Sequence, residues 1–344
     1  MKIKNYTIGL SPMDGITDAA FRLTQVEISK PDLIFTEFVS AEGIAHNAIK
    51  LFDQLLYSPK ERPIIGQLFG KDPDSFYIST IILCHLGFDG IDINMGCPAK
   101  KVTQHGSGAA LIENPKLAGE IIIATKKAIS DYQNNPKIIN TLNLKQKVLE
   151  VIERNLIYSG SSPVKGRSGR VLFSIKTRIG TNSSVVDSWI KHLCSFSPDF
   201  ITLHGRTLKQ GYSGTANWIE ISKAAIICHN NNVKIFGNGD LQTREMANEY
   251  CQKYGTDGAL IGRAAMGNPW LFDNKNASFK EKYEAMLKHA KHFTKIFPNR
   301  RFDPLRHHFL LYVSGHPSAS ALRQEIVKLT SIDQLCTLEH SITD

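Results

Sequence analysis

The residues able to do chemistry in this chain fall in short clusters, each closing an apolar run. Asn94-Met95-Gly96-Cys97-Pro98 sets one thiol before a Gly/Ser-rich loop at 105–108. A single cysteine so placed is a candidate acid or nucleophile. An ordinary thiol, with a pKa near ~8.5, stays mostly protonated at neutral pH. That favours donating a proton over attacking as a thiolate. The alternative, an inert buried cysteine, is the reading adopted for Cys84, Cys194, Cys228 and Cys251 on helix-like segments. Lys176 and Arg178 alternate along one run. A lysine there can stabilise negative charge on the N1–C2=O side of a reduced flavin. His204-Gly205-Arg206 offers a hydrogen-bond partner or a proton donor. Gln67 closes an otherwise apolar run. Its amide donates and accepts at once, which suits the imide edge of a flavin or pyrimidine, or neighbouring backbone.

Two further clusters read as a phosphate site. Asn238-Gly239-Asp240 and Gly262-Arg263 close the last two β-like runs. Glycine allows close backbone approach, and arginine supplies charge-assisted bonds to phosphate. Ser11-Pro12-Met13-Asp14-Gly15 closes the first run. Such a turn can bring backbone against a flat ligand with methionine as a wall, although a tight turn with a core methionine is the plainer reading.

These clusters need a scaffold that gathers strand ends. The β-like runs are 8–13, 33–40, 63–70, 90–97, 171–180, 200–207, 233–240 and 258–267. Each is rich in Ile, Leu and Phe and ends in polar or Gly residues, as buried parallel strands do. Helical candidates at 115–130, 184–196, 217–229 and 243–254 lie between them, with Pro115 suited to a first turn and Asn114 and Asn217 to caps. Eight such units in ~260 residues predict an α/β TIM (β/α)8 barrel. An open doubly wound sheet would gather its site at one switch point; here the chemistry recurs at nearly every strand end. Two segments break the alternation. Residues 131–170 form a basic excursion, with a helix expected at 145–158 and a Gly/Ser/Pro-rich loop at 159–170. After residue 272 no strand is readable; helices are expected at 282–297 and 317–330, with Pro298 and Pro304 as breakers. The division is therefore a barrel over 1–272 and a small all-α domain over 275–344.

Composition sets the outer limits. The chain has 344 residues, 42% of them apolar and 21% charged. That excludes a disordered tail or a collagen-like rod. No run approaches the ~18 apolar residues of a membrane helix, and no secretory h-region is visible. Six cysteines without a CxxC pair give no zinc or iron–sulfur spacing and point to a reducing compartment; no metal and no membrane are expected. The formal charge is +9. It concentrates in 131–170, with seven Lys/Arg against three Asp/Glu, and in 280–310, with eight against three. A neutral body with two basic patches suits a polyanion such as nucleic acid.

Assembled, these stretches resemble the tRNA-dihydrouridine synthase family. The resemblance rests on 11–22, 36–43, 67–73, DINMGCPAKKVTQHGSGAALIENP (92–115), 176–180, TLHGRTLKQGYSGTANW (202–218), 237–241 and DGALIGRAAMGNPWLF (257–272). It implies an FMN-bound barrel with a helical tRNA-binding domain. NADPH, or NADH, would reduce the flavin; the flavin N5 would pass a hydride to C6 of a tRNA uridine; the cysteine would protonate C5. By the same resemblance Cys97 is the catalytic proton donor. Pro12, Met13, Asp14, Gln67, Lys176, Asn238, Gly239, Asp240, Gly262 and Arg263 would hold FMN, with His204 beside the ring. Asn94, Lys100 and Arg178 would face the uracil or its phosphates, and Arg306 and Arg323 the tRNA backbone. A cytoplasmic monomer is expected.

Two features depart from the family pattern. The 131–170 excursion is longer than the usual link, and an added RNA contact is expected of it. Asp14 stands where many members carry Ala or another residue. Rival readings are an FMN barrel reducing free pyrimidines, a non-catalytic tRNA-binding scaffold and an ene-reductase; the basic helical tail and the GCPAKKV block favour the synthase.

Overall fold

A computed structural model describes residues 6–161 and 169–343. Most of the Gly/Ser/Pro-rich basic loop expected at 159–170 lies outside the described residues. The strands are β1 (Thr7–Leu10), β2 (Leu33–Ser40), β3 (Ile64–Phe69), β4 (Gly90–Met95), β5 (Leu172–Arg178), β6 (Phe200–His204), β7 (Lys234–Asn238) and β8 (Gly258–Ile261). They form a closed barrel in chain order, all pairs parallel. Pairing of Leu10 with Ile261 completes the circle. The fold is the expected TIM barrel.

Why these residues close a barrel follows from two sets of apolar side chains. Leu33, Phe35, Ile65, Phe200, Phe236 and Leu260 form one cluster drawn from alternating strand positions. They plug the barrel interior, with Phe200 and Phe236 stacked at 4.7 Å. The intervening positions, such as Ile34, Ile64, Ile201 and Ile235, join the larger core beneath the helices. Both faces of each strand are thus buried, which is why the runs read as continuous apolar stretches. The plug leaves room only for polar side chains nearer the C-terminal strand ends. There Gln67 pairs in register with Asp92, Asp92 with Ser174, and Asn94 with Lys176.

The strands stop earlier than the expected runs. β1 ends at Leu10 rather than 13, and β8 at Ile261 rather than 267. The surplus residues, Ser11-Pro12-Met13 and Gly262–Gly267, leave the sheet and contribute Pro12, Met13, Arg263 and Met266 to the rim. The caps are as expected: Asn114 accepts from the Leu117 N–H, and Asn217 from those of Ile219 and Glu220.

The excursion after the helix Pro115–Asn134 contains the helix Gln146–Ser159, one residue displaced from expectation. It leads into the N-terminal end of β5, the end away from the rim. Beyond the barrel the chain is helical. Phe279–Ile296 packs along Ala19–Ile28 and starts with a reciprocal cap between Ser278 and Glu281. Pro304, expected as a breaker, instead sits in the first turn of a helix, Asp303–Tyr312. The missing N–H of proline costs nothing in that turn. The tail helices share one apolar cluster with Ala19, Ala20 and Leu56 of the barrel.

Candidate active site

The loops after β1, β4, β6, β7 and β8 enclose a cavity of about 680 Å³ at the C-terminal strand ends. That volume is in the range of small-molecule and cofactor sites. Of the residues singled out in the sequence, Pro12, Met13, Asp14, Asn94, Cys97, Lys176 and Arg178 line it. So do His204, Asn238, Gly239, Asp240, Gly262 and Arg263. Gln67, Lys100, Arg306 and Arg323 do not. Gln67 is fully buried behind Asn94, Lys100 and Arg323 are exposed, and Arg306 is half-buried in the tail.

The Cys97 turn is held from three sides. Asn94 Oδ1 accepts from the backbone N–H of Gly96 at 3.0 Å and of Cys97 at 2.9 Å. Arg178 Nε donates to the Gly96 carbonyl at 2.7 Å. The Cys97 carbonyl accepts from Ala109 N–H at 3.2 Å. Burial pushes the thiol's pKa up, and Asp14 adds to that; the Ala99 N–H, Arg178 and Lys101 pull the other way without prevailing. Cys97 therefore keeps its proton at neutral pH.

Arg178 ties loops together. It is buried, and its Nη1 also donates to the carbonyls of Thr207 at 3.2 Å and Gly211 at 3.0 Å. Burial lowers its pKa to about 10. Lys176 reaches Asn238 Oδ1 at 3.2 Å. Burial and then Arg178 bring Lys176 down to about 8, against the pull of Asp92 and Cys97. It is cationic at pH 7 and close to releasing a proton.

His204 is buried and held well below its ordinary pKa by desolvation, then by Arg178, Lys176, Arg206 and Arg263. Arg206 Nη1 lies 3.3 Å from His204 Nε2. Guanidinium only donates, so that ring nitrogen accepts and the ring proton belongs on Nδ1. Asp240 sits at φ +59° and Gly239 at φ +128°. A Cβ on Gly239 would lie 2.6 Å from that of Ala216, so only glycine fits there. Burial pushes the Asp240 carboxyl up, but bonds from Arg206 and the Ala216 N–H, and the charges of Arg206 and Arg263, hold it below the usual range.

Two contributors have no assigned role in the sequence. Arg206 belongs to the His204-Gly205-Arg206 cluster, but its partner Asp240 lies 34 residues on. His307, from the tail helix, lines the cavity, and no local pattern could have announced it.

A family model described as dihydrouridine synthase matches residues 9–146 and 151–343. The chain belongs to the dihydrouridine synthase family. A Staphylococcus aureus (strain COL) protein named probable tRNA-dihydrouridine synthase is 31% identical over 334 residues, covering 94% of this chain and 89% of that one. Bacillus subtilis (strain 168) probable tRNA-dihydrouridine synthase 2 is 29% identical over 339 residues, covering 96% and 91%. This synthase thus matches its relatives across barrel and tail alike. No described helix is long and apolar enough to cross a membrane. Among the described residues no group of three or more His, Cys, Asp or Glu side chains could hold a metal.

Proposed function

We propose that this protein is an FMN-dependent tRNA-dihydrouridine synthase, reducing the C5–C6 double bond of particular tRNA uridines with NADPH as reductant. The observation that carries the reading is one cavity at the strand ends lined by both the Cys97 thiol and Lys176. The printed names of the relatives supply the substrate class.

The cavity residues fit FMN. At Gly262 a Cβ would rest 3.4 Å from Met13 Sδ and 3.5 Å from Ser11 Cβ, so its absence leaves a cradle there. Gly239, Gly262 and half-exposed Arg263 suit a phosphate. Met13, Leu260 and Met266 supply apolar wall, and Lys176 and Asn238 the polar groups for the ring. When bound and reduced, FMN supplies the hydride that C6 of uridine receives. Cys97 gives its proton to C5, and the resulting thiolate is stabilised by Arg178 and Lys101 before it is reprotonated. Lys176 holds positive charge where the anionic ring would lie.

A uridine reaches this cavity only by leaving its stack, at a cost of roughly a few kcal/mol. Shape-selective contacts to folded tRNA must offset that. The tail presents them: Arg301 is 87% exposed and Arg323 is exposed, while His307 reaches the cavity itself. Arg306 is otherwise occupied, donating to the Leu329 carbonyl at 2.6 Å and pairing with Asp303 at 2.9 Å. The division into a catalytic barrel, 1–272, and a tRNA-binding tail, 275–344, is part of this proposal.

Single-turnover oxidation of the photoreduced protein tests it, followed at the flavin absorbance band with and without unmodified tRNA. The reading expects tRNA to reoxidise the flavin and dihydrouridine to appear. Reoxidation only by free pyrimidines or enones would overturn the substrate; purified protein without flavin would overturn the cofactor.

A further inference from the structure

A chain of side-chain hydrogen bonds runs from the barrel interior to the Cys97 turn. Ser174 Oγ donates to Asp92 Oδ1 at 2.6 Å, and Gln67 Nε2 donates to Asp92 Oδ2 at 2.7 Å. Asn94 Nδ2 donates to Gln67 Oε1 at 3.0 Å, and Asn94 Oδ1 accepts the two backbone N–H groups of the turn. Asp92 and Gln67 are fully buried, and Asn94 nearly so.

The direction of this chain is fixed at both ends. Backbone N–H groups only donate, so Asn94 must aim its oxygen at the turn and its NH2 at Gln67. Gln67 must then receive with its oxygen and donate from its nitrogen. At the far end an ionised carboxylate only accepts, which demands the same orientation. Burial pushes Asp92 up to about 6, with Ser174, Gln67 and Lys176 opposing, so it remains mostly ionised at neutral pH.

We propose that Asp92 is a positioning residue for the proton donor: through Gln67 it sets the amide polarity of Asn94 and so the geometry of the Gly96–Cys97 turn. Gln67, expected from the sequence against the ligand, is in this arrangement a coupling between Asp92 and Asn94. The role of Cys97 as acid comes from the function proposed above; the geometric relay does not depend on it.

The test compares Asp92→Leu with Asp92→Asn in the full-length protein as purified. Asn can still offer its oxygen to Gln67 and its NH2 to Ser174 Oγ; Leu offers no acceptor. Iodoacetamide modification at Cys97, mapped by peptide mass, reports turn geometry independently of turnover. Asp92→Leu is expected to raise that rate about tenfold, the scale of an unsatisfied buried donor. Asp92→Asn is expected to stay near wild type. Dihydrouridine formation should fall in the first variant and be retained in the second. A wild-type alkylation rate in folded Asp92→Leu, or equal damage in Asp92→Asn, would overturn the relay. Where Asp92→Leu does not fold, Gln67→Glu sets two carboxylates face to face. Its alkylation relative to wild type should be high at pH 7.5 and return toward unity at pH 5.5, as a proton comes to be shared; a ratio of one at both would overturn the relay. A wild-type protein that forms no dihydrouridine fails the proposed function, yet the alkylation comparison still decides the relay.

Discussion

Arg206 Nη2 lies 2.7 Å from each carboxylate oxygen of Asp240, joining the loop after β6 to the one after β7. The same guanidinium donates to the carbonyls of Ser213 and Gly214 and faces His204 through Nη1. One buried cation thus sets a left-handed aspartate, a histidine tautomer and the loop that leads to Ala216.

Removing it should loosen all three. Arg206→Met is expected to lower stability by on the order of 2 kcal/mol, discounted from the usual cost of breaking a buried pair because Asp240 is partly solvated. The urea midpoint measures that. Because Gly239 and Arg263 adjoin Asp240, the variant should also retain less flavin through gel filtration. Full flavin retention would show that the phosphate end of the cavity does not depend on this arginine.

Cys97→Ala removes the proposed acid and changes the cavity lining by one sulfur atom. Loss of a general acid costs about 10²–10⁴ in rate, so single-turnover reoxidation by tRNA should slow by that order. Flavin content should be unchanged. A variant that reoxidises at the wild-type rate would move the proton donor elsewhere.

On the proposed function, Lys176 should give the alkaline limb of the activity profile. Its proton leaves near pH 8 rather than 10.5, because burial and Arg178 both disfavour the charge. Wild-type reoxidation by tRNA should therefore fall above about pH 8. Lys176→Met should be slow throughout and lack that limb. A limb that persists in the variant belongs to another group.

How far all this could be foreseen depends on the range over which each feature is encoded. The strands were legible because burial on both faces writes an unbroken apolar run, broken by a polar residue near the rim, as with Lys176 after Ser174-Ile175; the residue at which each strand ends was not. The cap at Asn114 and the proline behind it are local as well. The direction of a side chain is not local. Gln67 reads as a ligand-binding amide until the register sets it beside Asp92, and Arg306 reads as a free cation until Leu329 and Asp303 fold against it. His307 reaches the cavity only because Phe279–Ile296 lies along Ala19–Ile28. Pro304 misleads for a simpler reason: the same residue type ends one helix and begins another.

The exposed cations of the tail should carry the tRNA contact. Arg301→Glu with Arg323→Glu reverses charge while leaving the Arg306 bond to the Leu329 carbonyl in place, although Arg301 shares the Asp303 carboxylate with Arg306. Affinity for tRNA should fall, and the slope of log affinity against log salt should flatten by roughly one unit for each phosphate no longer neutralised. Unchanged affinity and slope would place the RNA on another face. Arg306→Glu, by contrast, should cost thermal stability first, through the freed Leu329 carbonyl.

The joint between tail and barrel carries a pH dependence of its own. His308 is buried against Phe21, at 5.4 Å, and His289, at 4.8 Å. Among the described residues, its Nδ1 and both nitrogens of His289 have no hydrogen-bond partner. Burial, then the neighbouring His307, lowers the His308 pKa from 6.5 to about 3. Below pH 6.5 the unfolded chain takes up a proton that the folded chain refuses, so folding loses roughly 1.4 kcal/mol per pH unit at this one site. Glu37 works in the opposite sense. Burial, then Asp18, raises it to about 7, so the fold already holds that proton and gains on acidification from pH 7 to 4.5. The slope of the whole protein is a sum of such terms, and a variant is needed to isolate one. His308→Phe keeps the ring in the aromatic cluster and removes the titration. Relative to wild type it should gain about 2 kcal/mol between pH 7 and pH 5, read from urea midpoints at the two values. A difference that does not change with pH would mean that the folded protein protonates His308 after all, and that the joint opens to admit water.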